Sequence, residues 1–504
     1  MFIRRVKNQS GNISIQITIK ENRRNKIIKH IGTARTPLEL QELQLRAQQY
    51  IDDQRIKSGV ISLFDTRYSS SSLRDQLQQF NFREARNTIT YQFFKYFYEQ
   101  IGFKRLADSC FQDLVIARII KPLSKRQTRE YLQIKFGIQY SLTTIYRTLS
   151  RAADKNYRGQ IEQIIHQFTT EKLRQTITVL YFDVTTLYYE AFDEDEVRKC
   201  GFSKDNKFNQ PQVVVALTVT SYGIPLHIRT FPGNKFEGHT MLPCITELVQ
   251  QYRLRDVIVV ADSAMLSQDN LQKLEDHKIH YIVGARLGNL NQKLFDQVTA
   301  VPQTDGSCLR IAYQSNRQLI ISYSNNRAVK DKHDREKQIK KAESLIKNPA
   351  KVVNRYKFLT KSKQGSWQLN QKMIDKAVQL EGLKGYITNS GNLTDQEVID
   401  RYGELWQVEK AFRISKSDLK ARPIFHTVKT SIESHILIVF AALAISRYVE
   451  YLSKHSLAKA IQELNAVKEI IVEDKVTRQT TSKFTTPSSR AARLLKLTKL
   501  VWVT

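Results

Sequence analysis

Residues 181–190, YFDVTTLYYE, put one carboxylate, Asp183, in the middle of a run that otherwise reads as a β-strand, rich in aromatic and β-branched side chains. A carboxylate inside a strand that a sheet would bury is costly unless it is paired, coordinated or neutralised. Working outward, ITVLYFDVTT, QVVVALTVTSYG and PLHIRTFPGN read as three consecutive strands, the last two joined as a hairpin at Tyr222 and Gly223. A helix follows in HTMLPCITELVQQY, then an apolar strand in DVIVVADSAML, a helix in QDNLQKLEDHKI and a strand in YIVGARLG.

Three strands, helix, strand, helix, strand is the order of an α/β ribonuclease H-like core with a mixed sheet. Carboxylates on its first strand and at the end of its fourth lie side by side, so Asp183 is expected next to Asp262, which closes the apolar run VIVVA. Two such acids call for a cation between them, and oxygen donors suit Mg²⁺ or Mn²⁺. A third acid is available in EVIDRYGELWQVEKAFRISKSDLKARP. There Tyr402, Glu409 and Lys416 recur every seven residues and share one stripe of a helix. Glu409 would face the metals, with Tyr402 and Lys416 reaching phosphates, and Arg413 either joins them or pairs with Glu409.

The charge points to a polyanion: 79 Lys and Arg against 49 Asp and Glu leave +30 and a pI near 9.8. Arg327 to Lys363 is dominated by Lys and Arg, with only Asp331, Asp334, Glu336 and Glu343 against them, and Lys475 to Lys499 is again basic. These runs are polyanion contacts or solvated helix faces. Upstream, Ser124 and Ser141 read as N-caps of two helices turned at Gly137. Arg147, Arg151 and Lys155 form a basic stripe opposite Leu142, Ile145 and Leu149. That pair is either a helix-turn-helix unit docking on DNA or an ordinary amphipathic pair.

At 504 residues and 41% hydrophobic side chains, the chain has length for about three or four domains. NISIQITIK and NKIIKHIGTA read as short strands before a Gln-rich helix. Cys110, Cys200, Cys244 and Cys308 form no CxxC pair, which indicates neither a zinc site nor a disulfide framework. The apolar run Ile436 to Ile445 falls short of the roughly 20 residues a membrane span needs and reads as a buried core helix. No signal-like segment follows MFIRRVKNQSG, so a soluble protein is expected.

The segments YFDVTTLYYE, GFSKDNKFNQPQVVVAL, GIPLHIRTFPGNKFEGHT, VVADSAMLS, YIVGAR, LKGYITNS and YGELWQVEKAFRISKSDLKARPIFH together resemble the DDE transposases of bacterial insertion sequences over most of residues 110–450. That ribonuclease H-like group carries its third acid in a Tyr-x2-Arg-x3-Glu-x6-Lys signature. The resemblance implies Asp183, Asp262 and Glu409 as catalytic acids holding two divalent ions, with Tyr402 and Lys416 at DNA-contacting positions. Leu405 stands where the signature has Arg, a departure that either Arg413 or Lys410 offsets or that leaves this chain without one phosphate contact.

The implied chemistry is metal-assisted DNA cleavage, followed by joining of the 3′-hydroxyl ends to target DNA. The implied partners are duplex DNA, as terminal inverted repeats and target, and a second copy of the chain in a synaptic dimer on the bacterial nucleoid in the cytoplasm. A ribonuclease H-like nuclease without end preference and a domesticated DNA-binding regulator are the alternatives. The expected division is a small basic region at 1–75, a helical DNA-binding region at 76–175, a catalytic core at 176–290 and 382–455, an insertion domain at 291–381 and a basic C-terminal region at 456–504. Lesser candidates are His239 and Lys204 near the substrate, and Trp367, Trp406 and Trp502 for base stacking, core packing being the reading preferred for Trp406.

Overall fold

A computed structural model describes residues 1–8, 11–21, 24–57, 80–190, 192–203, 207, 209–263, 267–314, 316–348, 356–362, 365–475 and 478–498. Lys204, Trp502 and parts of both basic runs lie outside these residues. The chain forms two compact units, Met1–Asn81 with Glu473–Gln479, and Phe82–Val472 with Thr480–Thr504.

In the first unit, β1 (Phe2–Lys7), β2 (Ile13–Glu21) and β3 (Arg24–Ala34) make an antiparallel sheet in that order. The helix Pro37–Lys57 covers it, and Ile15 and Ile17 of β2 meet Ala47 and Ile51 in a small core. The two strands expected from sequence are β2 and β3; β1 adds a third strand, at one edge.

The second unit begins within β4 (Phe80–Arg86), at Phe82, and continues in a run of helices from Thr88 to Gln167. Both expected serine caps form: Ser124 Oγ accepts from the Gln127 amide and Ser141 Oγ from the Thr144 amide. Gly137 ends the helix Lys125–Phe136 with φ +71°, a left-handed turn that a residue with a Cβ resists.

Seven strands come next in chain order: β5 (Val179–Tyr188), β6 (Gln212–Val219), β7 (Pro225–Pro232), β8 (Ile258–Ala261), β9 (His280–Ala285), β10 (Cys308–Tyr313) and β11 (Arg317–Tyr323). A small hairpin, β12 (Leu359–Lys361) and β13 (Trp367–Leu369), precedes β14 (Leu383–Thr388). Eight of these strands build one mixed sheet in the order β10-β11-β14-β9-β8-β5-β6-β7. β5, β8 and β9 run parallel and the remaining neighbours are antiparallel. β6 is buried along its whole length, as its unbroken apolar run requires in a sheet covered on both faces.

The sequence assigns residues 308–313 and 317–323 to the insertion, yet β10 and β11 extend the main sheet, because β11 pairs with β14 from Gln318↔Thr388 to Tyr323↔Leu383. The stretch with a core of its own comes later: Ala342, Leu345, Phe358, Leu359 and Ile374 pack together, with Trp367 half-buried against them.

Helix Lys429–Ser453 is long and apolar enough to cross a membrane by length and composition, and most of that apolar stretch is buried within the protein. It runs between the upstream helices and the sheet. Ser434 Oγ donates to the Leu149 carbonyl on one side, while Ile436, Val439 and Phe440 line a seam with Leu187, Val215 and Ile228 on the other. Past it, helix Leu457–Ala466, β15 (Glu469–Asp474), β16 (Thr480–Phe484) and helix Ser489–Leu495 fold back on the upstream helices. A sheet forms in the order β16-β15-β4, and Asn465 Oδ1 accepts from Asn87 and Thr90.

Candidate functional site

Within β5 the side chains from Leu180 to Leu187 are buried except one, Asp183, which is half-buried. The parallel pairing of β5 with β8 matches Phe182 to Ala261, so the next residues along the two strands are Asp183 and Asp262. Neighbouring strands are about 4.8 Å apart, so the two acids emerge side by side where β8 ends. Each is steadied locally. Asp183 Oδ1 accepts from the Val184 amide at 2.7 Å, and Asp262 Oδ1 from the Ser263 amide at 2.6 Å.

Alternate residues of a strand share a face, and two neighbours of Asp183 identify which face it takes. Tyr181 Oη donates to Glu404 Oε2 at 2.6 Å, and Thr185 lies in the apolar seam that Phe412 also lines. Glu404 lies just before helix Trp406–Arg413 and Phe412 in its last turn. Asp183 therefore points to the side of the sheet where that helix carries Glu409.

The orientation of this helix is fixed from behind. Gln407 Oε1 accepts from Arg447 Nη2 at 2.6 Å, and Lys410 Nζ pairs with Glu450 Oε2 at 2.8 Å. Arg447 also pairs with Glu450 at 2.8 Å and donates to the carbonyls of Tyr222 and Gly223. Gln407 and Lys410 are three apart and share a face, whereas Glu409 turns about 200° away from Gln407. Fastening one side to the helix Lys429–Ser453 thus leaves Glu409 on the other, where it is exposed.

Tyr402, Glu409 and Lys416 do not ride one continuous helix. The helix Asp395–Gly403 stops at Glu404, the helix Trp406–Arg413 begins after Leu405, and the backbone widens into a π-turn at Ile414–Asp418 that contains Lys416. Gly403 is a weak helix former, and the amides of Gln407 and Val408 reach back only three residues, to Glu404 and Leu405. Leu405 is buried, so its position presents no polar group. Arg413 is exposed, and its charge is felt by Asp418 and Arg447 rather than in an ion pair with Glu409 among the described residues.

Tyr402 reaches the acids directly: its Oη donates to Asp262 Oδ1 at 3.4 Å. Its ring stands edge-on to Tyr386 with centroids 5.0 Å apart, and Lys384 Nζ lies 4.4 Å from the Tyr402 ring centre. Burial lowers the Lys384 pKa, Arg327 lowers it further, and Asp262 and Glu409 oppose that shift. Burial, and then the Asp262 charge, raise the Tyr402 phenol. Lys384 and Tyr402 are thus the groups that feel Asp262 and Glu409 together. Sequence reasoning missed Lys384, although LKGYITNS was among the segments it singled out.

Gly284 belongs to this arrangement: a Cβ there would stand 2.5 Å from the Tyr402 hydroxyl and 3.2 Å from its ring. The glycine of YIVGAR is the gap through which Tyr402 reaches β8.

Asp183, Asp262 and Glu409 offer carboxylate oxygen alone, the donor chemistry of a hard divalent cation. Among the described residues, no group of three acidic, His or Cys side chains is drawn tightly enough together to form one metal-binding cluster. The two strand aspartates adjoin, and the charges of both Asp262 and Glu409 act on Lys384 and Tyr402.

The other candidates are dispersed. On helix Leu142–Asp154, Arg147 is exposed, while Arg151 Nη1 pairs with the buried Asp108 at 2.8 Å. Asp108 also caps helix Ser109–Ile120 and accepts from Tyr157. Trp406, read as core, is 49% exposed, because it opens its helix on the side away from the sheet. His239 is exposed beside Phe236. All four cysteines are free.

A family model described as "Transposase DDE domain" matches residues 174–445, more than half of the chain. No curated protein matches. Among solved structures, one similar to this chain is a piggyBac transposase synaptic complex with hairpin DNA, at 10% identity over 75% of this chain and 79% of that one, with a TM-score of 0.39.

Proposed function

The chain belongs to the transposase DDE-domain family, and we propose that it binds the ends of a mobile DNA element, cleaves them and joins the freed 3′-hydroxyls to target DNA. The observation that carries this reading is the β5–β8 register, which sets Asp183 beside Asp262. The order of strands and helices from β5 to β9 supports a ribonuclease H-like core.

In this reading Asp183, Asp262 and Glu409 hold Mg²⁺ or Mn²⁺, which when bound supplies Lewis acidity for in-line phosphodiester displacement. The chain's own groups do the rest. Tyr402 orients the Asp262 carboxylate through its hydroxyl. Lys384 offsets the mutual repulsion of Asp262 and Glu409, and Lys416 meets a DNA phosphate. Water attack breaks a P–O bond at the element end and leaves a 3′-hydroxyl. That hydroxyl then attacks a target phosphodiester in the same site, breaking the target's P–O bond and releasing the target's own 3′-hydroxyl, with no covalent enzyme intermediate. Arg147 and Arg151 belong to the DNA-binding helices, residues 291–381 border the DNA path, and two copies synapse two ends.

The test is nicking of duplexes carrying the inverted repeats that flank the gene, in Mg²⁺, beside a gel shift against random DNA. Asp183→Asn, Asp262→Asn and Glu409→Gln should each abolish nicking while end binding survives. Full nicking by any one purified variant removes that acid from the site. Equal affinity for ends and random DNA replaces the transposase with a plain nuclease.

A further inference from the structure

Away from the acids, a cleft of about 410 Å³ opens between the start of helix Lys125–Phe136 and the segment from Lys420 to His426. Its wall contains Arg118, Lys125, His426 and His435. Arg118 is 7% exposed, Lys125 5% and His435 5%. Arg118 and Lys125 make no ion pair with any described residue. Arg118 Nη2 donates to the Leu123 carbonyl at 3.1 Å, and His435 Nε2 meets the Ala421 carbonyl at 3.1 Å. His435 Nδ1 is buried with no hydrogen-bond partner.

This arrangement is costly for a protein alone. Buried cations are ordinarily paired. Here the cations act on one another: Arg118 on Lys125, and both on His426 and His435. Burial drives Lys125 well below its ordinary value and holds Arg118 down to about 10 and His426 to about 4, each shift marking a group whose charged form lacks a counter-charge. The positive end of the twelve-residue helix beginning at Lys125 adds to the same field. Lys420, at the lip, is exposed.

We propose that this cleft seats a backbone phosphate of bound DNA, a second anchoring point apart from the catalytic acids. The phosphate oxygens would accept from Lys125, Arg118 and the first-turn amides of the helix, and supply the counter-charge the protein omits. His435 Nδ1 takes up a proton from solvent and donates as the anion enters. The segment from Lys420 to His426 follows the Glu409 helix, and Ile424 bridges to Tyr189 just past the end of β5. A phosphate seated here is therefore held by the chain that leads out of the acid site. The choice of DNA over free phosphate rests on the transposase reading; the anion site itself does not.

The test uses the full chain without divalent cation, so its outcome is independent of the catalytic assignment. Two quantities are measured: the rise in melting temperature with inorganic phosphate against chloride at equal ionic strength, and the salt dependence of duplex binding by fluorescence anisotropy. Lys125→Met should melt no lower than wild type, since an uncompensated buried charge is replaced by an apolar chain of similar shape. It should lose the phosphate-induced rise, and its log–log salt slope should fall by about 0.9. Lys420→Met, at an exposed position that cannot disturb the core, should reduce both effects in the same direction. The exposed Lys104→Met should keep the phosphate-induced rise. Loss of the rise with an unchanged salt slope makes this a free-phosphate site and overturns the DNA assignment. Lys125→Met and Lys420→Met both behaving as wild type overturns the site.

Discussion

The Tyr402 hydroxyl meets Oδ1 of Asp262 at 3.4 Å, across a gap that exists because residue 284 has no side chain. One ring thereby couples the end of β8 to the helix that precedes Glu409. The neighbouring Lys384 and Tyr386 hold that ring from β14.

Removing the hydroxyl tests its share. Tyr402→Phe keeps the packing against Tyr386 and Lys384, so the fold should be unaffected, while nicking should slow about tenfold, the worth of roughly 1.4 kcal/mol. Gly284→Ala should slow nicking by at least as much, because its Cβ would displace the phenol. In the Tyr402→Phe background the added methyl should cost less than it does alone, the non-additivity of groups in contact. Additive losses in single-turnover nicking rates would show that Gly284 acts on something other than Tyr402.

The fastening behind Glu409 can be loosened without touching the acid. Glu450 accepts from Arg447, Lys410 and the Leu457 amide, and it is nearly buried. Glu450→Gln leaves two cations without their carboxylate, and about 3–5 kcal/mol of stability should be lost in urea unfolding. At temperatures where the variant remains folded, nicking should fall further than duplex affinity does. An equal fall in both would mean that this network supports the fold without aiming Glu409.

Arg147 and Arg151 lie one helical turn apart, yet the structure gives them different work. Arg151 is committed to Asp108, which caps helix Ser109–Ile120, whereas Arg147 is open to solvent. Arg147→Ala should leave the melting temperature unchanged and reduce the salt slope of duplex binding by about 0.9. Arg151→Ala should cost about 1 kcal/mol of stability, a figure held down by its partly exposed position. A flat salt response in Arg147→Ala removes the stripe from the DNA interface.

The contrast between those arginines shows how far the sequence could be read. A periodic pattern identifies the face a residue takes, so β5 to β9, the serine caps and the apolar stripe of helix Leu142–Asp154 were legible. Partners distant in the chain were not. That β11 lies against β14 is a pairing of Gln318 with Thr388, which neither segment announces. The break after Gly403 was hidden because the apolar spacing runs through it without a proline. Lys384 and Lys125 were missed for one reason: a lysine in a strand or at a helix start reads as solvated, and only tertiary packing buries it. Asp183 and Asp262 stood out because a carboxylate at the end or middle of an apolar run breaks a local pattern.

The buried histidines also predict how stability responds to acid. His435 is held well below its ordinary value by burial and by Lys125, Arg118 and His426, with only the Ala421 carbonyl acting the other way. His426 is held at about 4 by burial, Lys125 and Arg118. The unfolded chain protonates its histidines near pH 6.5, about where model imidazoles titrate, while the folded chain resists until the pH is far lower. Between those points the unfolded state binds more protons, so folding stability is fully present above about pH 7 and drains away as pH falls through 6.5 toward 4. Carboxylates whose values are lowered in the fold, such as Glu275, act only below about 4.3 and cannot produce a loss near pH 6. Melting curves in phosphate-free buffer should therefore decline between pH 6.5 and 5, and His426→Asn should flatten that decline. Added phosphate should oppose it in wild type, since an anion in the cleft lets the imidazoles take up their protons without unfolding. An identical pH profile in His426→Asn, with and without phosphate, would separate the acid response from these rings.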